Sequence, residues 1–285
     1  MKKFKVGIPL AIILIILVAA PARARLGLRL WGGLNTLSGG DLNEGTKGWF
    51  EYYRLDELNS YTPGGEFQPT HLGYDLGGDL LFQFSPVLGI GVGAGYLTAS
   101  RSFSLNYTRP GWDPVVYTSK TALGAVPLRL SLYYSLPLGP SFHITFHLGG
   151  GYYLANLKLH IRAENPTYFE DYDFHQATGG GLGFHGGLGL EIALSEAVSL
   201  VLDLTGRWAV ISNFHGDFTV SNTWSHGTTP DADLYFFKAL DPPFGTFPLL
   251  FMSSAEPSGP AFSDVRRARI DLSGLSSVVG LVFRF

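Results

Sequence analysis

The chain has 285 residues, no cysteine and a formal net charge of −3, with 15% charged and 14% aromatic residues. Its charge content is well below the roughly 25% of soluble domains, no disulfide framework or thiolate metal site is available, and there is no basic footprint for nucleic acid. Past the N-terminal segment no stretch has the ~18 consecutive apolar residues of a spanning helix. A membrane protein of this composition must therefore cross as a closed barrel, the other structure that satisfies every backbone hydrogen bond in lipid.

Lys2, Lys3 and Lys5 precede an apolar run from Ile8 to Ala20, and Ala22-Arg23-Ala24 supplies a small-x-small site. Residues 1–24 are expected to be a cleaved secretory signal peptide, since the run falls short of the ~20 residues that span a bilayer; an uncleaved anchor is the alternative. Residues 25–285 then form one barrel domain. Alternation places strands at about 25–35, 71–85, 88–105, 115–135, 141–162, 175–194, 198–214 and 264–285. In the second, Leu72, Tyr74, Leu76, Leu80, Phe82 and Phe84 alternate with Gly73, Asp75, Gly77, Asp79, Gln83 and Ser85. From Tyr74 to Phe84, at ~3.3 Å rise and ~40° tilt, such a strand covers ~25 Å, the height of an outer-membrane apolar band.

In the fifth segment Phe142, Ile144, Phe146, Leu148, Tyr152 and Leu154 hold one phase, and Leu157, Leu159 and Ile161 the other. A β-bulge near Ala155-Asn156 would return the apolar set to one face; otherwise the strand leaves the membrane at Asn156. Tight connections (Ser85-Pro86-Val87, Leu136 to Pro140, Ser195-Glu196-Ala197) alternate with long ones at about 36–70, 106–114, 163–174 and 215–263. Short periplasmic turns, long external loops and an even strand number put both termini in the periplasm. In the last segment Leu275, Val279, Leu281, Phe283 and Phe285 share one face, opposite Gly274, Ser276, Gly280 and Arg284.

The ending at Leu281, Phe283 and Phe285 resembles the C-terminal signature of bacterial outer-membrane β-barrels, which implies recognition by the barrel-assembly machinery. With Ala125-Val126-Pro127-Leu128-Arg129-Leu130, Tyr133-Tyr134 and Gly189-Leu190-Glu191, the pattern resembles the small eight-stranded outer-membrane barrels of the OmpX and OmpW type. The expectation is an all-β, transmembrane, antiparallel up-and-down barrel of eight strands with long external loops, a monomer among outer-membrane lipid and lipopolysaccharide. The OmpW-like group implies a narrow path for small, rather apolar ligands. The OmpX-like group implies a sealed barrel whose loops make contacts, a structural or adhesive role.

Inward phases carry Arg29, Asp75, Asp79, Arg129, Glu191, Asp203, Arg207 and Arg284. They read either as paired charges filling a small barrel, since an unpaired charge there is costly, or as the lining of a permeation path. Gly89, Gly91, Gly93 and Gly95, with Gly179, Gly181, Gly183, Gly187 and Gly189, strip two strands bare inside. They either open a cavity or let Trp31, Tyr153 and the arginines cross the lumen.

His160, His175 and His215 fall near external strand ends and are weak metal candidates; no cofactor is expected. The 215–263 connection, with Leu234-Tyr235-Phe236-Phe237 and Phe247 to Met252, is too apolar to be solvated. It reads as a lid folded over the mouth, a segment packed on Trp49, Phe50, Tyr52 and Tyr53, or one dipping into the outer leaflet, with a ligand or partner surface as the alternative to a self-packed lid. Ser221, Ser225, His215, His226 and Asp217 have the residue types of a lipid-modifying hydrolase but no recognisable spacing, and an enzyme is not expected.

Overall fold

The computed structural model describes residues 25–56, 62–108, 111, 113–242 and 245–285; the expected signal peptide lies outside the described residues. Strands β1 (Arg25–Thr36) and β2 (Gly39–Gly40) precede helix α1 (Asp41–Asp56). Then come β3 (Thr62–Gly64), β4 (Leu72–Gln83), β5 (Leu88–Thr108), β6 (Val115–Pro137), β7 (Phe142–Glu164), β8 (Phe169–Ala193) and β9 (Val198–Ile211). The chain ends with β10 (His215–Asn222), β11 (His226–Asp241), β12 (Gly245–Ser253), β13 (Phe262–Arg267), β14 (Ile270–Asp271) and β15 (Gly274–Arg284). All pair antiparallel in one fifteen-stranded sheet. β1 lies between β4 and β15, and β4 through β8 pair in chain order. One end of β8 pairs β9, which pairs β15. The other end pairs β10, which leads to β11 and β12.

The eight-stranded up-and-down barrel of the OmpX and OmpW type is therefore corrected: the sheet has fifteen strands and no clean eight-stranded ring. The segments assigned as connections at 36–70 and 215–263 hold α1 and most of the additional strands. Leu234, Phe236, Phe237, Leu249, Leu250 and Met252 are buried, with apolar residues on both faces. Backbone enclosed that way must be hydrogen-bonded, and pairing of β11 with β12 and β13 achieves it.

The bulge expected near Ala155-Asn156 is also absent. β6 and β7 stay in register from Val116 opposite Glu164 to Pro137 opposite His143, so even-numbered residues of β7 face outward throughout. What changes is composition. Towards the tight-turn end, Phe142, Phe146, Leu148 and Leu154 are outside and exposed; towards the other, Leu157, Leu159 and Ile161 are inside and fully buried. The register shift instead falls in the β7–β8 pairing between Leu157 and Leu159, where β8 carries one extra residue. The exposed apolar belt continues over Leu26, Leu30, Leu72, Leu80, Leu128, Leu132, Leu182, Leu188, Leu202, Leu275 and Val279, far more than a water-facing sheet tolerates. Beyond it the strands form a water-type sandwich around an apolar core, the capped end.

Helix α1 completes that core. Leu42, Thr46, Trp49, Phe50 and Tyr53 recur at helical spacing and are all buried. Trp49 Nε1 donates to the Leu250 carbonyl at 2.9 Å, and its ring lies 5.0 Å from that of Tyr172. Tyr52 meets Phe247 at 5.6 Å, so the long apolar segment is the lid that packs on the first connection. The Tyr53 hydroxyl donates to Glu170 at 2.9 Å; burial, reinforced by Tyr172 and Glu170, holds its pKa far above the usual phenol range. At the helix start Asp41 pairs with the Arg266 guanidinium and accepts from the Arg269 amide at 2.6 Å.

A Cβ on Gly48 would overlap the Pro248 carbonyl of β12, so the helix backbone lies directly on the strand. Gly48→Val is expected to cost about 1–3 kcal/mol. The check is limited proteolysis: faster cleavage within 41–56, with the migration of the folded band on unheated gels unchanged.

Candidate functional site: the filled interior and its cap

All eight expected lumen charges point inward, and the structure joins them in layers. At the tight-turn end Arg284 reaches Glu191 at 2.5 Å and donates to Ser199 Oγ at 2.8 Å. In the middle layer Arg29 pairs with Asp203 at 3.0 Å. Asp203 also accepts from Thr205 Oγ1 at 2.6 Å and meets His147 Nε2 at 3.2 Å. Beside them the Tyr133 hydroxyl donates to Asp79 at 2.7 Å. Arg129 stands 3.6 Å from Asp79 and lies over the Trp31 ring at 4.3 Å. Higher still, Trp31 Nε1 donates to Asp75 at 3.4 Å, and Arg207 donates to the carbonyls of Leu272 and Thr36 at 2.7 and 3.2 Å. Arg207 and Asp203 thus find separate partners although they share a strand. Above Arg207 the polar column ends in buried Tyr153, Leu97, Leu123 and Leu157.

The bare strands are what admit these side chains. A Cβ on Gly91 would meet the Tyr133 ring at 2.7 Å, on Gly183 the Tyr153 ring at 2.7 Å and on Gly187 His147 Nε2 at 2.7 Å. Each glycine is the floor beneath a bulky neighbour. Among the described residues, interior cavities of about 20 and 30 Å³ are lined by Arg29, Tyr133 and other members of the network, each with room for about one water.

Sequence reasoning missed Tyr133, His185 and Ser131 as members, although Ser131 Oγ lies 2.8 Å from His185 Nε2. Their signal was phase: Ser131 and Tyr133 share the inward parity of Arg129, and His185 that of Glu191. Of the three weak metal candidates, two have described side chains. His160 bonds Asp171 at 2.7 Å, His215 sits exposed at the start of β10, and the His175 side chain lies outside the described residues. Among the described residues no group of three or more His, Asp or Glu is placed to hold a metal ion. Ser221 Oγ and His226 Nδ1 lie 2.8 Å apart on the exposed β10–β11 hairpin.

An apolar belt outside, a self-paired polar column inside and a water-type cap define an integral β-barrel protein of the outer-membrane class. The sequence model of the outer membrane protein beta-barrel domain family matches residues 8–227, and the chain belongs to that family. It is a protein of the bacterial outer membrane, and this broader family replaces the small eight-stranded OmpX/OmpW type. Among solved structures, the outer membrane protein OprG from Pseudomonas aeruginosa is similar at 11% identity, with 91% of this chain and 95% of that chain covered and a TM-score of 0.39. The outer membrane protease OmpT from Escherichia coli is similar at 9% identity, with 92% and 96% covered and a TM-score of 0.25. No curated protein matches the chain.

Asp203 is the acid on which Arg29, His147 and Thr205 converge. Asp203→Ala leaves the Arg29 guanidinium buried without its partner, which is expected to cost about 3–5 kcal/mol. The check is urea unfolding of the detergent-folded protein, with Asp203→Asn falling between the variant and the parent.

Proposed function

We propose that this protein is a non-conducting outer-membrane barrel that presents a rigid folded β-domain at the cell surface, where its capped end contacts other molecules. In this reading it acts as a single copy and as a binding rather than a catalytic protein. The capped end faces outward, both termini are periplasmic, and Leu281, Phe283 and Phe285 on β15 serve the barrel-assembly machinery. The observation that carries the reading is the continuous filling of the interior, from Arg284–Glu191 through Arg29–Asp203 to the apolar plug under α1. A conduit for small ligands would need that column broken at several levels. The tip of the domain supports a contact role: Trp224 is 80% exposed, with its ring tilted against that of Tyr168 at 5.5 Å, and its turn is held by three hydrogen bonds to Asn222 Oδ1.

Planar-bilayer recordings of the folded chain from Arg25 onward are expected to be silent; reproducible discrete steps would overturn the reading. Orientation has its own test. On intact cells a membrane-impermeant maleimide is expected to label Trp224→Cys and to leave Glu196→Cys unlabelled, and the opposite pattern would reverse the assignment.

A further inference from the structure

Immediately beyond the apolar belt, the outward face of β5 to β8 changes character in two steps. The last apolar row includes Val126 paired with Leu154, and Tyr96 stands beside it. The next row holds Gly124 opposite Asn156, and Asn156 opposite Thr178. The surface is indented there by a groove of about 310 Å³ lined by Tyr96, Val126, Leu154 and Asn156, with the side chains of Asn156 and Tyr96 closing over Gly124. One row further lies a basin of about 560 Å³, lined by Lys120, Lys158, His160 and Asp173 over a floor of Ser100, Ser102 and Ala122; Arg101, opposite the buried Thr121, belongs to the other face of the sheet.

The charges in that basin are unbalanced. His160 is engaged by Asp171, and Arg162 by Asp171 and Glu164 at 2.9 and 2.8 Å. Asp173, opposite His160 in register, has an interaction of its own. Lys120 and Lys158 are exposed, and neither forms an ion pair among the described residues. Two free cations thus stand beside one carboxylate. Lys158 lies four residues from Leu154 on β7, on the order of 10 Å above the last apolar row at ~3.3 Å per residue and ~40° tilt. Long basic side chains at that height reach the headgroup layer.

We propose that this face binds a phosphorylated lipid of the adjoining leaflet. Its phosphate-bearing headgroup sits between Lys120 and Lys158, and one acyl chain lies in the groove against Tyr96, Val126 and Leu154. Anionic headgroup oxygens accept charge-assisted hydrogen bonds from the two lysines, and the groove gives the chain an apolar wall that the flat belt elsewhere lacks. The identity of the leaflet as the outer one rests on the orientation proposed above, so the lipid in question is a phosphorylated glycolipid.

The test uses the full folded chain in neutral detergent, where leaflet and orientation play no part, with three probes: bisphosphorylated lipid A, the same lipid enzymatically dephosphorylated, and inorganic pyrophosphate. Native mass spectrometry is expected to show the bisphosphorylated form held at least tenfold more tightly than the dephosphorylated one. Removing both lysines in Lys120→Gln/Lys158→Gln is expected to erase that preference by on the order of 10- to 30-fold, from about 1 kcal/mol per basic residue at an anionic surface. Lys120→Arg/Lys158→Arg retains it, as does Lys238→Gln, a charge removed from the cap outside the basin. Equal retention of the two lipids, or an unchanged preference in the double glutamine variant, would overturn the proposal. Pyrophosphate bound as tightly as the lipid would overturn the lipid as occupant and leave a free-anion site. Both lysines are exposed, so folding of the variants is verified by their unheated gel migration. A failure of orientation appears only in the cysteine labelling.

Discussion

A hydrogen-bonded strand cannot change which side its side chains face without gaining or losing a residue, and the architecture follows from that constraint. β6 and β7 run unbroken through two media, so only the residue types can respond to the change of solvent. Below Asn156 the apolar set is outside and the polar set inside, because lipid is the outer solvent. Above it the assignment reverses, because water is. The interior is consequently polar where it is least able to reach water and apolar where the strands emerge, which is why the molecule needs both an internal charge network and a cap.

The charge network shows how an interior of that kind is made affordable. No carboxylate in the middle layer has a single partner: Asp203 takes Arg29, His147 and Thr205, and Asp79 takes Tyr133 and Arg129. Sharing of this sort offsets desolvation that a single pair does not recover. Backbone carbonyls of Thr36 and Leu272 complete the set by accepting from Arg207, and the glycines opposite let long side chains lie across the lumen without strain. The result is a close-packed polar core, in which specificity of arrangement matters more than net stabilisation.

Much of this was legible from alternation alone. The period of two located the long strands and put Arg29, Asp79, Arg129 and Asp203 on the inner face. It did not reveal how many strands would join the sheet, since Leu234 to Phe237 and Phe247 to Met252 are apolar on both faces and carry no alternation to read. Helix α1 escaped for a related reason. Leu42, Thr46, Trp49, Phe50 and Tyr53 are helically spaced, but Gly45 and Gly48 among them look like loop residues; they are the surface on which β12 rests. The phase change after Leu154 was visible and ambiguous, because a bulge and a change of solvent leave the same trace in a sequence. Only the unbroken register of β6 against β7 separates them.

The pairing of Asp41 with Arg266 joins positions 225 residues apart, and β1 meets β15 across a similar span. Contacts this distant along the chain are slow to form, and the early helix lacks the β12 side of its packing until the late hairpin of β11 and β12 arrives. Assembly therefore has a fixed order in time: the neighbouring strands β4 to β8 can associate first, while the closing seam and the cap mature together at the end. The same coupling works in reverse, so that the seam cannot open far without first dislodging the helix above it.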